Sequence, residues 1–384
     1  MKINLAKINF INVIMYIFLS LFILPAKFRN ILSAFFCLIT MLIFIRNTAK
    51  IKPKNAVLLY IITSAVMIYI VINILYNNEI NNLISSVIFM YVSYILFANI
   101  DYFKNVQKEN KIIYIFLLIW LVLFLIYQVR LQGFNNYKFF FPSIGDKNFT
   151  AVAIFLLLCY SIKNNFKTGI IISIIYTLML KSRLIYLVIL IYIGINYLIN
   201  SKKKNKNQPK VVTPFKIFLI FIIGTLATIG LSYYITYKIP KYKITNYRES
   251  IIDISNAIRF RSNVFAIEHI KNNKKILLIG YDNNLLKILG ISNDINTTRY
   301  LGYAIVQPHN YMINSFLKLG VVFTLIYTYC ISVLISKHWT NENIPIIISY
   351  IIINMFMHSL LSTNFLIFFM FVLACEKKEG NLHE

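Results

Sequence analysis

Three groups of polar side chains interrupt an otherwise apolar chain, and their types bear on proton and phosphate chemistry. His309-Asn310-Tyr311 opens an apolar stretch, and Asn314 and Lys318 follow Tyr311 at i+3 and i+7, the spacing of one helix face. A neutral imidazole there can take a proton from a hydroxyl; the plainer reading is an ordinary histidine at a membrane surface. Arg259 and Arg261 stand near the start of Ser255–Asn272, where Ile258, Val264, Phe265, Ile267 and Ile270 recur at roughly helical spacing. A guanidinium binds phosphate bidentately, although a basic amphipathic helix can also simply lie on anionic headgroups. Arg183, in Lys181-Ser182-Arg183, sits between two short apolar runs. An ionisable group at membrane depth points to function, unless it snorkels to the headgroups.

The elements that must position these groups are membrane spans. The chain of 384 residues is 59% hydrophobic and 14% charged, against about 25% charged in a soluble domain. Uncharged runs such as Ala56–Tyr76 and Ile112–Gln128 approach the about 20 residues that cross a bilayer core of about 30 Å. Twelve spans are expected, near 8–25, 29–45, 55–76, 83–100, 112–129, 149–162, 168–180, 184–199, 215–237, 311–335, 344–358 and 360–375. The first is read as an uncleaved span, because no small-residue cleavage site follows it. Cys37, Cys159, Cys330 and Cys375 all fall in apolar runs without metal-ligand spacing, as small buried residues do.

The net charge of +26 does not mark a nucleic-acid binder, because the basic residues crowd into short connections on one side. That side, which holds Lys2, Lys52, Lys163, Lys204 and Lys378, carries 20 basic residues. The opposite short loops carry Lys27, Arg29, Arg130, Lys138, Lys147, Lys181 and Arg183. The positive-inside rule then puts both termini in the cytoplasm. Parity requires residues 168–199 to form a hairpin with arms of 13 and 16 residues rather than one broken span. Residues 238–308 become one large outer loop with an amphipathic helix, between spans nine and ten of a single all-α, polytopic membrane domain over 1–384.

With these positions fixed, the motifs resemble those of the O-antigen polymerase and O-antigen ligase superfamily. His309 to Gly320 resembles its H-N-x-x-L-x-x-L-x-E-x-G signature after a large periplasmic loop, with Lys318 where glutamate is common. Arg259, Ala266, Ile267, Ile270 and the stretch to Gly280 resemble its R-x-x-x-W-x-x-A-L-x-x-I segment leading to G-x-G, with Asp282 at the second glycine and no tryptophan. Arg259 gives this register, and Arg261 is the other choice. Lys181-Ser182-Arg183 resembles the family's T-x-S-R-G turn, and Gly145-Asp146-Lys147-Asn148 its G-D-P-N motif. The resemblance covers roughly residues 140–335.

What the resemblance implies is a metal-independent, inverting glycosyltransferase of the bacterial inner membrane, without cofactor. Its donor and acceptor would be oligosaccharides linked to undecaprenyl diphosphate, and a chain-length regulator in the membrane would be a partner. His309, Arg183 and Arg259 would be the catalytic groups, with Arg261, Lys181, Asn310, Asp146 and Asn148 binding substrate. Fixed cations would stabilise the departing diphosphate, and His309 would be either general base or diphosphate ligand. No Asp-x-Asp pair is present to hold a divalent cation, and no close pair of outer carboxylates suggests glycosidase chemistry. Three functions stand: a polymerase of repeat units, a ligase moving glycan to lipid A–core or protein, and a non-enzymatic polyprenyl-glycan transporter. The last normally shows internal repeats, and the two halves of this chain show none.

Overall fold

The computed structural model describes residues 110–133, 141, 147–202, 212–238, 254–273, 280, 308–361 and 363–374, and the isolated positions 64, 67, 68 and 71. The expected spans at 8–25, 29–45 and 83–100 lie outside the described residues, as does most of 55–76, and so do both termini and Asp146. Among the described residues all regular structure is helical: α1 Asn110–Gln132, α2 Lys147–Lys163, α3 Lys167–Leu180, α4 Arg183–Lys202 and α5 Pro214–Lys238. Then follow α6 Ile254–Asn272, α7 Tyr311–Lys337, α8 Ile344–Phe356, a 3-10 turn Ser359–Leu361, and α9 Thr363–Ala374.

The central rod is α2. Ala151 to Ser161 are buried on every face, as expected of a helix apolar all round that packs on neighbours on all sides. Asn165, at φ 53°, turns the chain from α2 into α3, and Lys181, at φ 49°, turns it again into α4. At that second turn Ser182 Oγ donates to Asn148 Oδ1 at 2.9 Å. Ten residues on, the Tyr192 ring meets Phe155 at 6.1 Å, seven residues along α2. So α4 runs back alongside α2, antiparallel to α3. Its arm is 20 residues rather than 16, because Asn200, Ser201 and Lys202 extend the helix past the last apolar residue.

One end of the bundle is tied by a buried lysine. Lys163 Nζ donates to Asn343 Oδ1 at 2.8 Å and to the Val372 carbonyl at 2.9 Å, so an ammonium caps the last turn of α9 where the carbonyls lack helical partners. Asn343 Nδ2 adds donations to the His338 and Leu373 carbonyls. The ends of α2, α7 and α9 and the start of α8 therefore meet at what we term the Lys163 end.

Among the described residues three helices, α4, α5 and α7 taken over its whole 27 residues, are long and apolar enough to cross a membrane by length and composition. Their surroundings agree: Ile171, Ile174 and Leu178 on α3, Leu187 and Leu190 on α4, and Ile223 and Leu226 on α5 all face outward. Outward apolar stripes of this extent are suited to lipid rather than water. Inward faces carry small hydroxyl residues instead. Thr228 and Ser232 bond back to the Gly224 and Thr228 carbonyls, and Thr324, Thr328 and Ser332 form a matching ladder on α7, which lets helices approach closely.

One element departs from the sequence-based expectation, and a second decides between readings the sequence leaves open. Residues 311–335 were expected to form one span, yet α7 is broken at Gly320, whose φ 76° and ψ 166° are non-helical. The Tyr311 and Thr328 hydroxyls are 3.1 Å apart, whereas 17 residues of straight helix would separate them by about 25 Å. The helix therefore folds back on itself, with a short arm over 311–319 and a longer one over 321–337 that ends at the Lys163 end. A conformation open almost only to glycine permits this reversal. The second is α6, a helix where one was expected. Its apolar face does not rest on a membrane surface: Ala266 and Ile270 pack with Ile313 and Leu317 of α7 and with Ile229 of α5. Asn263 bonds to Ser232, and five residues on the Tyr237 hydroxyl donates to Glu268, so α6 stands parallel to α5.

Candidate functional site

Opposite the Lys163 end, the start of α7 is built from its sequence outward. Pro308 precedes the helix, and Asn310 caps it: Oδ1 accepts from Met312 N at 2.9 Å and Ile313 N at 3.1 Å, the preferred use of an Asn at this position. Asn310 Nδ2 donates to the Met355 carbonyl at 3.2 Å, tying the cap to α8. Asn314 Nδ2 donates back to the Pro308 carbonyl at 2.9 Å. Tyr311 and Asn314 thus continue inward as the sequence suggested, but as structural anchors, both fully buried.

His309, fixed by this cap, stands partly buried beside three other elements. Asn263 Oδ1 of α6 accepts from the His309 backbone N–H at 3.2 Å. Arg259, one helical turn before Asn263, lies on that same face and acts electrostatically on His309. Arg261 is two residues on, about 200° around the helix at 3.6 residues per turn, and so points away from the face that carries Asn263. The geometry thus sets Arg259 rather than Arg261 beside His309. Burial first, then His358 and Arg259, lower the His309 pKa to about 3, so its ring is neutral over the physiological range.

Asn148 is buried at the start of α2, where its Oδ1 accepts from Ser182. Lys181 and Arg183 flank that serine and are exposed. This pair of motifs connects to His309 through aromatic contacts: Phe149 meets His358 edge-on at 4.9 Å, and His358 lies 6.2 Å from His309. The structure therefore joins His309, Asn310 and Arg259 directly, and Asn148 with the Lys181–Arg183 turn at one remove. Asp146 lies outside the described residues.

Two groups in the cluster were not expected. His358 falls in the break between α8 and α9, where Met357 is extended; the signal was the polar run His358-Ser359 and Ser362-Thr363-Asn364 between two apolar stretches. Asn263 stands near the tryptophan position of the resembled segment, and beyond that an asparagine within an amphipathic helix reads as a surface residue. Two motif glycines also acquire physical reasons. Gly320 makes the reversal in α7, and Gly280, at φ 72°, lies against the tip of that reversal, where a Cβ would come within 2.6 Å of Leu319 N and the Lys318 carbonyl.

Among its described residues the site is electropositive. Arg259 and Lys318 approach the histidines, and the N-termini of α2, α4 and α7 open towards this region, each bringing partial positive charge. Among the described residues only Glu268 and Glu342 are acidic; Glu268 is held by Tyr237, and Glu342 adjoins Asn343 at the Lys163 end. Such a setting can hold an anion and lower the cost of negative charge that develops beside a neutral base. In comparisons with known proteins, no protein-family model matches the chain and no curated protein does.

Proposed function

We propose that this chain is a polymerase of the O-antigen type, joining oligosaccharide repeat units carried on undecaprenyl diphosphate by inverting glycosyl transfer. In that reaction the acceptor hydroxyl oxygen attacks the anomeric carbon from the face opposite the diphosphate. The new glycosidic bond forms as the old C–O bond breaks, its electron pair leaves on the diphosphate, and the hydroxyl proton passes to His309. Arg259, with Arg183 from the second motif pair, stabilises the diphosphate as its charge grows. The observation that supports this most is the pairing of a neutral histidine with Arg259 on one face, among cations and helix N-termini.

The accompanying topology is twelve spans in a bacterial inner membrane, both termini cytoplasmic and residues 238–308 outside. Depth is consistent with a site reached from outside. Asn148 is 15 residues from Lys163 along α2, about 22 Å, inside a core of about 30 Å. α5 continues six residues past Ser232, the partner of Asn263, which in this topology would set the cluster below the outer end of that helix. Cysteine labelling with an impermeant reagent tests the sidedness: a cysteine at Lys274 should label from outside and one at Ser201 should not.

Deletion of the gene tests the function itself. A polymerase leaves single repeat units on the lipid core. A bare core with free carrier-linked polymer would make the chain a ligase, and an unchanged surface polysaccharide would remove the glycosyltransferase reading altogether.

A further inference from the structure

His358 is held in place with unusual care for a residue in a break between helices. Asn354 Oδ1 accepts from Leu360 N at 2.9 Å and from Ser359 Oγ at 3.0 Å, and the Tyr327 hydroxyl donates to the Leu360 carbonyl at 3.2 Å. These bonds fix the turn on both sides of the histidine, and Phe149 fixes its ring. The ring lies by the carbonyl of Pro308, the residue before His309. Its Nδ1 is buried and has no hydrogen-bond partner among the described residues. With its proton on Nε2, a neutral imidazole carries a lone pair on Nδ1. A buried acceptor without a donor is costly, and the other imidazole of the cluster stands 6.2 Å away, tilted by 45°.

A histidine that serves as base works best when its second nitrogen is held by an acceptor, which selects the tautomer. Carboxylates usually do this, but the two acidic residues among the described residues are engaged or placed elsewhere. Resting on the glycosyltransferase reading, we propose that His358 is a positioning residue for His309. Its Nδ1 accepts a hydrogen bond from a His309 N–H, through one water at the observed separation or directly once substrate closes the site. His309 is thereby fixed in the tautomer whose other nitrogen takes the acceptor proton.

The test uses the full-length protein in lipid nanodiscs with a carrier-linked oligosaccharide as substrate. His358→Phe keeps a ring against Phe149 but has no acceptor, and kcat should fall about 10–100-fold, the usual effect of losing such a partner, with KM unchanged. His358→Asn restores an acceptor near the Nδ1 position and should recover part of that loss; it also serves as the informative variant where the phenylalanine protein fails to accumulate. With 15N-labelled histidine, His309 should show one tautomer in the wild type and a mixture in His358→Phe. Wild-type kcat in His358→Phe, a change in KM alone, or an unchanged His309 tautomer would each overturn the proposal. His309→Ala, assayed in parallel, separates the two levels. If it is inactive while His358→Phe is fully active, only this inference falls; if it is itself fully active, the glycosyltransferase reading falls as well.

Discussion

Replacing Gly280 with alanine asks whether the reversal in α7 is held where the site needs it. The added Cβ would lie 2.6 Å from Leu319 N and from Lys318 C and O. Ordinary contact begins near 3.4 Å, so the tip of α7 must retreat by about 0.8 Å. The contacting atoms are backbone and cannot rotate aside. Overpacking of this kind costs about 1–3 kcal/mol, and holding alanine at the φ of 72° adds about 1–2 kcal/mol. The short arm of α7 carries the displacement to His309, and misplacing a reacting group by about 1 Å can lower a rate about 100-fold. Thermal unfolding in detergent should show a clear loss of stability, and polymer on a gel should drop sharply. Gly194→Ala and Gly230→Ala are the controls, since a Cβ at either meets nothing within 4 Å and alanine favours a helix by about 0.5–1 kcal/mol. If Gly280→Ala unfolds and polymerises like the wild type, Gly280 does not press on the tip and the folded-back geometry of α7 is wrong.

Three further outcomes follow from the geometry. Arg259→Ala should nearly abolish polymer and Arg259→Lys should restore it only in part, because the bidentate fork is lost; Arg261→Ala should stay active, and the reverse pattern would move the site to the other face of α6. Lys163→Met keeps the length of the side chain but strands Asn343 and the α9 carbonyls, costing about 1–3 kcal/mol for each buried group left unpaired, and a melting temperature equal to wild type would show that this cap contributes nothing. Because the His309 pKa is lowered to about 3 from 6.5 in the unfolded chain, only the unfolded state gains a proton as pH falls through 6.5. Stability should therefore decline from pH 6.5 towards 3 and be unaffected by this group above 6.5; His309→Gln should flatten that decline, and an identical slope in both proteins would show that the ring is not buried.

The helices were legible in the sequence wherever charge or proline bounds an apolar run. Lys147 and Lys163 delimit α2, Pro214 and Lys238 delimit α5, and Pro308-His309-Asn310 begins α7. The reversal at Gly320 was not, because Leu319-Gly320-Val321-Val322 is continuously apolar and glycine is common within membrane helices. Nothing local distinguishes a glycine that packs from one that turns the chain; the Tyr311–Thr328 and Gly280 contacts that decide it are long-range. In the sequence Lys163 reads as a charge in a cytoplasmic connection; its burial is hidden there because its partners Asn343 and Val372 lie far along the chain. His358 was missed for the same reason: its significance is its distance to His309, which no spacing along the chain encodes.

The proposed role of His309 is to take the proton in a glycosyl transfer driven by loss of a diphosphate. It is tested most directly with purified protein, a carrier-linked oligosaccharide and EDTA, following both glycan length and release of undecaprenyl diphosphate. Longer glycan and one diphosphate released per bond formed are expected, with His309→Ala and His309→Gln both slowed by about 100–10,000-fold, as for loss of a general base. Substantial activity in the Gln variant, which keeps hydrogen bonding but lacks a basic nitrogen, would make His309 a diphosphate ligand. Wild-type rates from the Ala variant would remove His309 from the chemistry altogether.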